Sequence, residues 1–128
     1  MEGVAMASII VITGEQEGDY YPLGQRTNVI GRDEALPIQI LDERVSRKHL
    51  KIRFDPENQS FHAVDLDSKH GVFINGTKMT TASKLNNDTI ITIGTTSILF
   101  TLKDFADRKN ALNHYKKVGE RIRGTMLD

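Results

Sequence analysis

The sequence contains no cysteine among its 128 residues. This absence excludes disulfide scaffolds, thiolate metal sites, iron–sulfur clusters and a cysteine nucleophile. It is also typical of a reducing compartment. We therefore expect a cytoplasmic protein.

The sequence also lacks a long hydrophobic run. The longest spans residues 8–12 (Ser-Ile-Ile-Val-Ile), far below the roughly 20 residues that a membrane-spanning helix needs. No basic segment precedes this run and no small-residue cleavage site follows it, so it does not resemble a signal peptide. We expect no membrane partner.

An excess of charge of one sign is missing as well. Lys and Arg number 17, Asp and Glu also number 17, and the formal net charge is zero. Domains that bind nucleic acid are usually strongly basic, so we expect no nucleic-acid partner. Only residues 103–128 are basic, with seven Lys or Arg against four Asp or Glu.

Residues 8–102 alternate short runs rich in β-branched and aromatic residues with turns rich in Gly, Asn and Asp. Such close spacing without intervening helices predicts an antiparallel β-sandwich. Asn75-Gly76 is a strong hairpin signal, with Thr77 to Met79 as the returning strand. The other candidate strands are Ser8 to Thr13, Asp19 to Leu23, Asn28 to Gly31, Ile38 to Leu41, Leu50 to Phe54, Ser60 to Leu66, Val72 to Ile74, Thr89 to Ile93 and Ile98 to Leu102.

The pattern changes after Leu102, where residues 103–123 carry apolar side chains at helical spacing. Asp104 is a candidate N-cap for this helix. We therefore divide the chain into a strand-rich domain, residues 8–102, and a basic amphipathic helix with its tail, residues 103–128. The helix could pack on the sandwich, pair with a second copy or lead into further domains. Its apolar face comprises Phe105, Leu112, Tyr115, Val118 and Ile122.

Four short motifs occur in register within the strand-rich part. They are Ile30-Gly31-Arg32, Val45-Ser46-Arg47-Lys48-His49, Asp65-Leu66-Asp67-Ser68-Lys69-His70-Gly71 and Val72-Phe73-Ile74-Asn75-Gly76. In order and spacing they resemble the forkhead-associated (FHA) domain, and the resemblance covers about residues 8–102. It implies an all-β, antiparallel sandwich of about eleven short strands (SMAD/FHA-like) with its binding loops at one end. It also implies a signalling module that binds phosphothreonine peptides, acts with a Ser/Thr kinase pathway and prefers phosphothreonine to phosphoserine.

The resemblance assigns roles to individual residues. Arg32 and Ser46 match the phosphate-binding positions, and Arg47 and Lys69 match positions that add contacts to the phosphate. A phosphate carries about −1.5 to −2 charges and three acceptor oxygens. A guanidinium and a hydroxyl can donate hydrogen bonds to these oxygens, and further cations can balance the charge.

The remaining matched positions concern the peptide backbone and the fold. His70 stands where the family usually has an asparagine that binds the peptide backbone, and Asn75 is a second candidate for such a contact. Structural roles fall to Gly31, His49, Gly71 and Gly76.

Other classes of function have weaker signals. Ser46, His49 and Asp65 are the residue types of a hydrolase triad, but the Gly-x-Ser-x-Gly elbow is absent. No His-x-x-x-His pair suggests a metal site, and no Gly-x-x-x-x-Gly-Lys sequence suggests a nucleotide. We therefore expect no catalysis, cofactor or metal.

Two further hypotheses concern assembly. The domain could be a structural or oligomerising unit whose interactions do not depend on phosphorylation, with self-association through the helix. It could then be the N-terminal regulatory part of a larger protein. Alternatively, Thr125, three residues before Asp128, could be phosphorylated and then occupy the phosphate site of the same or another copy.

Overall fold

The computed structural model describes residues 6–103, 110 and 113–118. Its eleven strands form two sheets that face each other across one hydrophobic core, which confirms the predicted β-sandwich. The strands are β1 (Ser8–Val11), β2 (Tyr20–Pro22), β3 (Asn28–Gly31), β4 (Ile38–Gln39), β5 (Leu50–Asp55), β6 (Ser60–Asp65), β7 (Val72–Ile74), β8 (Thr77–Lys78), β9 (Ser83–Lys84), β10 (Thr89–Ile93) and β11 (Thr96–Thr101). Their order is β2-β1-β11-β10-β7-β8 in one sheet and β4-β3-β5-β6-β9 in the other.

Strand β5 shows why these sequences form a sandwich. Leu50, Ile52 and Phe54 are buried, whereas Arg53 between them is exposed. Because successive side chains of a strand point to opposite faces, the alternating sequence places one apolar face on the core. Phe54 stands opposite Phe61 of β6, and their ring centroids lie 5.0 Å apart.

Two features of the sheets differ from the sequence prediction. The pair β3–β4 is parallel, with Ile30 opposite Ile38. Residues 32–37 carry the chain back along β3, so that β4 runs beside it in the same direction. Strand β9 was not predicted, since two residues are too few to show an alternation.

A helix covers the outer face of the six-stranded sheet at residues 113–118. Val118 is buried against Ile10 and Leu99, and the Tyr115 hydroxyl donates to Glu17 Oε2 at 2.8 Å. The predicted helix is thus confirmed here, and this part of it packs on its own sandwich. The predictions for Asp104, Phe105, Leu112, Ile122 and Thr125 lie outside the described residues. Within the described part of the chain, no helix is long and apolar enough to span a membrane.

The sandwich brings several strand ends to one end of the molecule. Strand β3 finishes there, β5 and β7 start there, and the turn between β10 and β11 lies beside them. This end comprises residue 32 and the segments 42–49, 65–71 and 94–95, which include Arg32 of the first motif and all of the second and third motifs.

Candidate functional site

A surface depression of about 320 Å³ lies at this end of the sandwich. Its lining includes Arg32, Ser46, Arg47, Lys69 and His70, which the sequence analysis selected, together with Glu43, Arg44 and Val45. The structure thus brings the four predicted phosphate ligands together. Four of the lining side chains are basic and one is acidic, so the depression favours an anion.

Arg32 is held in place by the segment that carries Ser46. Its backbone N–H donates to the Ser46 carbonyl at 3.0 Å, and its side-chain Nε donates to the Val45 carbonyl at 3.0 Å. The Nε contact fixes the guanidinium while leaving both terminal nitrogens available. A preorganised guanidinium of this kind suits a bidentate contact with an oxyanion.

Ser46 joins the two loops on either side of the depression. Its hydroxyl oxygen accepts the backbone N–H of Lys69 at 3.0 Å. Since a hydroxyl accepts and donates at once, its proton remains available to a bound anion. The Lys69 side chain is exposed at the same rim.

The loop that carries Lys69 and His70 is braced from within. Asp65 Oδ1 accepts the N–H of Ser68 at 3.1 Å, and Ser68 Oγ accepts the N–H of Gly71 at 2.9 Å. Gly71 has a φ of +84°, a left-handed conformation that glycine adopts without strain. These contacts fix where Lys69 and His70 meet the depression.

Gly31 allows two backbone segments to approach closely. A Cβ atom at this position would overlap the carbonyl oxygen of Arg47 and lie 2.9 Å from that of Ser46. Asp33, two residues after Gly31, also donates its N–H to the Arg47 carbonyl at 3.2 Å. The Gly-Arg motif therefore combines the predicted phosphate ligand Arg32 with the only residue type that lets the Ser46 segment reach it.

Asp42 is a residue of this end that the sequence analysis missed. Its Oδ2 atom accepts the N–H and hydroxyl of Thr95 and the hydroxyl of Thr96, each at 2.8 Å. Its Oδ1 atom accepts the N–H of Arg44 at 2.9 Å. Asp42 thus anchors the segment that carries Ser46 to the turn between β10 and β11 on the other sheet.

These contacts change the acidity of Asp42. Burial by itself raises the pKa of this carboxyl, but the hydrogen bonds from Arg44, Thr95 and Thr96 stabilise the carboxylate more strongly. The pKa is therefore lowered from 3.8 to about 2. Asp42 is thus a charged anchor, and it could not be found from spacing because its partners lie 53 and 54 residues away.

Asn75 does not lie with the other site residues, contrary to the prediction that it borders the same end. It sits in the β7–β8 turn, at the end of β7 away from Gly71, where it exchanges hydrogen bonds with Ile90. Its N–H donates to the Ile90 carbonyl at 2.8 Å, and its Oδ1 accepts the Ile90 N–H at 2.9 Å. Asn75 and Gly76, with φ of +49° and +86°, shape the hairpin.

The residue types of a hydrolase triad are not arranged as one. His49 is fully buried, with Nδ1 accepting the backbone N–H of Ser46 at 2.9 Å and Nε2 donating to the Gly71 carbonyl at 2.7 Å. Both ring nitrogens are thus occupied by the backbone rather than by the Ser46 hydroxyl. Across the described residues, no three His, Asp or Glu side chains are placed to hold a metal ion.

Comparison with known protein sequences identifies a family and several relatives. The sequence model of the FHA domain matches residues 28–94. FhaA of Mycobacterium tuberculosis, an FHA domain-containing protein, is 34% identical over 73 residues, which are 57% of this chain and 14% of FhaA. The chain spans only 14% to 57% of the length of the relatives it matches.

Solved structures share the fold over most of this chain. The FHA domain of CT664 from Chlamydia trachomatis superposes with a TM-score of 0.71 at 30% identity, covering 80% of this chain and 100% of that one. EmbR of Mycobacterium tuberculosis, solved in complex with a low-affinity phosphopeptide, gives a TM-score of 0.70 at 27% identity, with 80% of this chain and 26% of EmbR covered. The resemblance inferred from the four motifs is confirmed, and the chain belongs to the FHA domain family.

Proposed function

We propose that this chain is a phosphothreonine-dependent peptide- and protein-binding signalling module that acts with a Ser/Thr kinase pathway. One observation carries the proposal: Arg32, Ser46, Arg47 and Lys69 surround one depression. Membership of the FHA family supports it, as does the phosphopeptide complex of the relative EmbR.

The chemistry of the depression fits a phosphate ester. At neutral pH a phosphothreonine carries about −1.5 to −2 charges and three acceptor oxygens. The terminal nitrogens of Arg32 and the Ser46 hydroxyl supply donors from one side, and Arg47 and Lys69 supply charge from the rim. The Nε contact to Val45 holds the Arg32 fork before the ligand arrives, which lowers the entropy lost on binding.

We assign His70 a contact with the peptide rather than with the phosphate. Its ring is half-buried in the lining of the depression, and an imidazole can donate and accept hydrogen bonds as a carboxamide does. We assign it to the peptide backbone beside the phosphothreonine, where the family usually has asparagine.

The expected affinity is modest and reversible. Each charge-assisted hydrogen bond contributes about 1.5–3 kcal/mol to binding. The loss of translational and rotational freedom on association costs as much free energy as several such bonds supply. Removal of the phosphate removes nearly all of them at once. Such a site suits a switch that a kinase turns on and a phosphatase turns off.

A structural or oligomerising role through the helix has less support. Tyr115 and Val118, two residues of its predicted apolar face, pack against the chain's own sheet. They are therefore not available to pair with a second copy in this arrangement.

The proposal is tested with a degenerate phosphothreonine peptide library and its dephosphorylated counterpart, using fluorescence anisotropy on the full chain. We expect binding to the phosphorylated pool only, and a loss of about 100-fold in Arg32→Ala, since two charge-assisted contacts disappear. Arg53→Ala, which removes an equal charge from the exposed face of β5, serves as the matched control.

A second comparison uses phosphoserine peptides of the same sequence. We expect them to bind about fourfold more weakly, because the threonine methyl contributes about 0.8 kcal/mol when buried. Equal binding of phosphorylated and unphosphorylated pools, or no binding by the folded chain, would contradict the proposed function.

A further inference from the structure

A second depression adjoins the candidate phosphate site. It measures about 360 Å³ and is lined by Arg32, Asp33, Glu34, Gln39, Leu41 and Arg47. Arg32 and Arg47 also line the first depression. The two depressions therefore meet at Arg32 and Arg47, whose guanidinium groups we assign to the phosphate.

The wall of the second depression is fixed by hydrogen bonds around the short edge strand β4. Gln39 Nε2 donates to the Arg32 carbonyl at 3.1 Å. The Gln16 side chain pairs with the strand as a neighbouring backbone would, because its Oε1 accepts the Leu41 N–H at 2.7 Å and its Nε2 donates to the Gln39 carbonyl at 2.9 Å. The site is therefore preorganised, like the phosphate site beside it.

Its lining combines an apolar surface with two carboxylates. Leu41 is 60% exposed, one of three large hydrophobic side chains that are exposed in the described part of the chain. Glu34 is exposed, and it forms no ion pair with another described residue. Asp33 uses Oδ1 to accept the N–H of Ala35 at 2.9 Å, which holds its carboxylate at the start of the turn.

The charge in this depression changes when a phosphopeptide binds. Without a ligand, the carboxylates of Asp33 and Glu34 are balanced by the guanidinium groups of Arg32 and Arg47. A phosphate of about −2 charge bound to those guanidinium groups leaves the two carboxylates in excess. Bound peptide thereby turns a neutral depression into one that attracts a cation.

We propose that the second depression binds a lysine or arginine side chain that flanks the phosphothreonine in the partner peptide. The aliphatic stem lies on Leu41 and the cationic head faces Glu34 and Asp33, which is how long basic side chains commonly divide themselves between apolar and polar surroundings. The inference rests on the proposed function and names the class of phosphopeptide that this chain selects.

The test uses phosphothreonine peptides in which each flanking position in turn is Lys, Arg, Leu, Glu or Ala. At one position we expect Lys and Arg to bind about fivefold more tightly than Ala, the size of a favourable exposed ion pair, and Glu to bind more weakly than Ala. In Glu34→Gln the advantage of Lys and Arg over Ala, compared within that variant, falls to about twofold or less. Glu57→Gln, in the exposed turn after β5, removes the same charge at the opposite end and keeps the full preference.

Leu41→Ala separates the stem contact from the charge. It is expected to weaken Lys, Arg and Leu peptides by about threefold at that position, in proportion to the apolar area lost, and to leave the Ala peptide unchanged. Phosphate-dependent binding with no preference for a cation, or a preference that Glu34→Gln leaves intact, would overturn this inference alone. Failure of every phosphorylated peptide to bind would instead overturn the proposed function.

Discussion

The Nε2–H group of His49 donates a hydrogen bond to the carbonyl oxygen of Gly71, at 2.7 Å. The other ring nitrogen accepts the N–H of Ser46 at 2.9 Å, so the ring carries its single proton on Nε2. One buried imidazole thus connects the segment that holds Ser46 to the loop that holds Lys69. The geometry of the candidate phosphate site therefore depends on this connection.

Replacing His49 by alanine should damage both stability and binding. Loss of the ring leaves a void and two unpaired backbone groups, and we expect the free energy of unfolding to fall by about 2–3 kcal/mol in urea denaturation. In conditions where the variant is still folded, phosphopeptide affinity should also fall, because the two loops are no longer joined. His62→Ala, on the outer face of β6, is the control. An equal loss of affinity in that variant would contradict the assigned role.

Ser46→Ala should weaken binding with little change in stability. The variant loses the hydroxyl proton offered to the phosphate and the acceptor for Lys69 N–H, and we expect an affinity about tenfold lower, the effect of one such hydrogen bond. Titration with the same phosphopeptide measures this. Ser83→Ala on β9 is the matched control, and an unchanged affinity in Ser46→Ala would place the phosphate elsewhere.

Two glycines should respond to alanine for different reasons. Gly31 has no room for a Cβ atom because the Arg47 carbonyl is in the way, and Gly31→Ala should cost about 2–3 kcal/mol of unfolding free energy by overpacking. Gly76 has open space but a φ of +86°, and Gly76→Ala should cost about 1 kcal/mol from backbone strain. Only Gly31→Ala should also lower phosphopeptide affinity, since it displaces Ser46 and Arg47. Equal effects of the two substitutions on binding would contradict this view.

The strands that the sequence predicted best are those with a local signal. Leu50, Ile52 and Phe54 alternate with polar residues, and their inward direction is confirmed by their burial. Residues 83–84 form a strand only because β6 lies beside them. The parallel direction of β4 follows from the path of the chain through residues 32–37, which no periodicity records.

The same limit applies to the candidate site. Arg32, Ser46 and Lys69 could be selected because each lies in a connection between strands, within a motif that resembles the FHA pattern, and the structure brings them together. Asn75 was misplaced because an Asn-Gly pair indicates a hairpin without indicating the end of the sandwich at which it lies. Asp42 was missed because its function depends on threonines in a distant turn, a contact that only the folded chain creates.

Asp42 should make stability depend on pH in the acidic range. Its folded pKa of about 2 lies below the ordinary 3.8, so the carboxylate stabilises the fold in full above about pH 4. This contribution, about 1–2 kcal/mol after solvent screening, is lost as the pH falls through 3.8 toward 2.

Asp42→Asn should therefore be less stable than the natural chain at pH 7, with a difference that shrinks at pH 2. Urea denaturation at pH 7, 4 and 2 measures both, with Asp67→Asn in an exposed loop position as the control. A difference that stayed constant from pH 7 to pH 2 would show that the charge of Asp42 is not what anchors the Ser46 segment to Thr95 and Thr96.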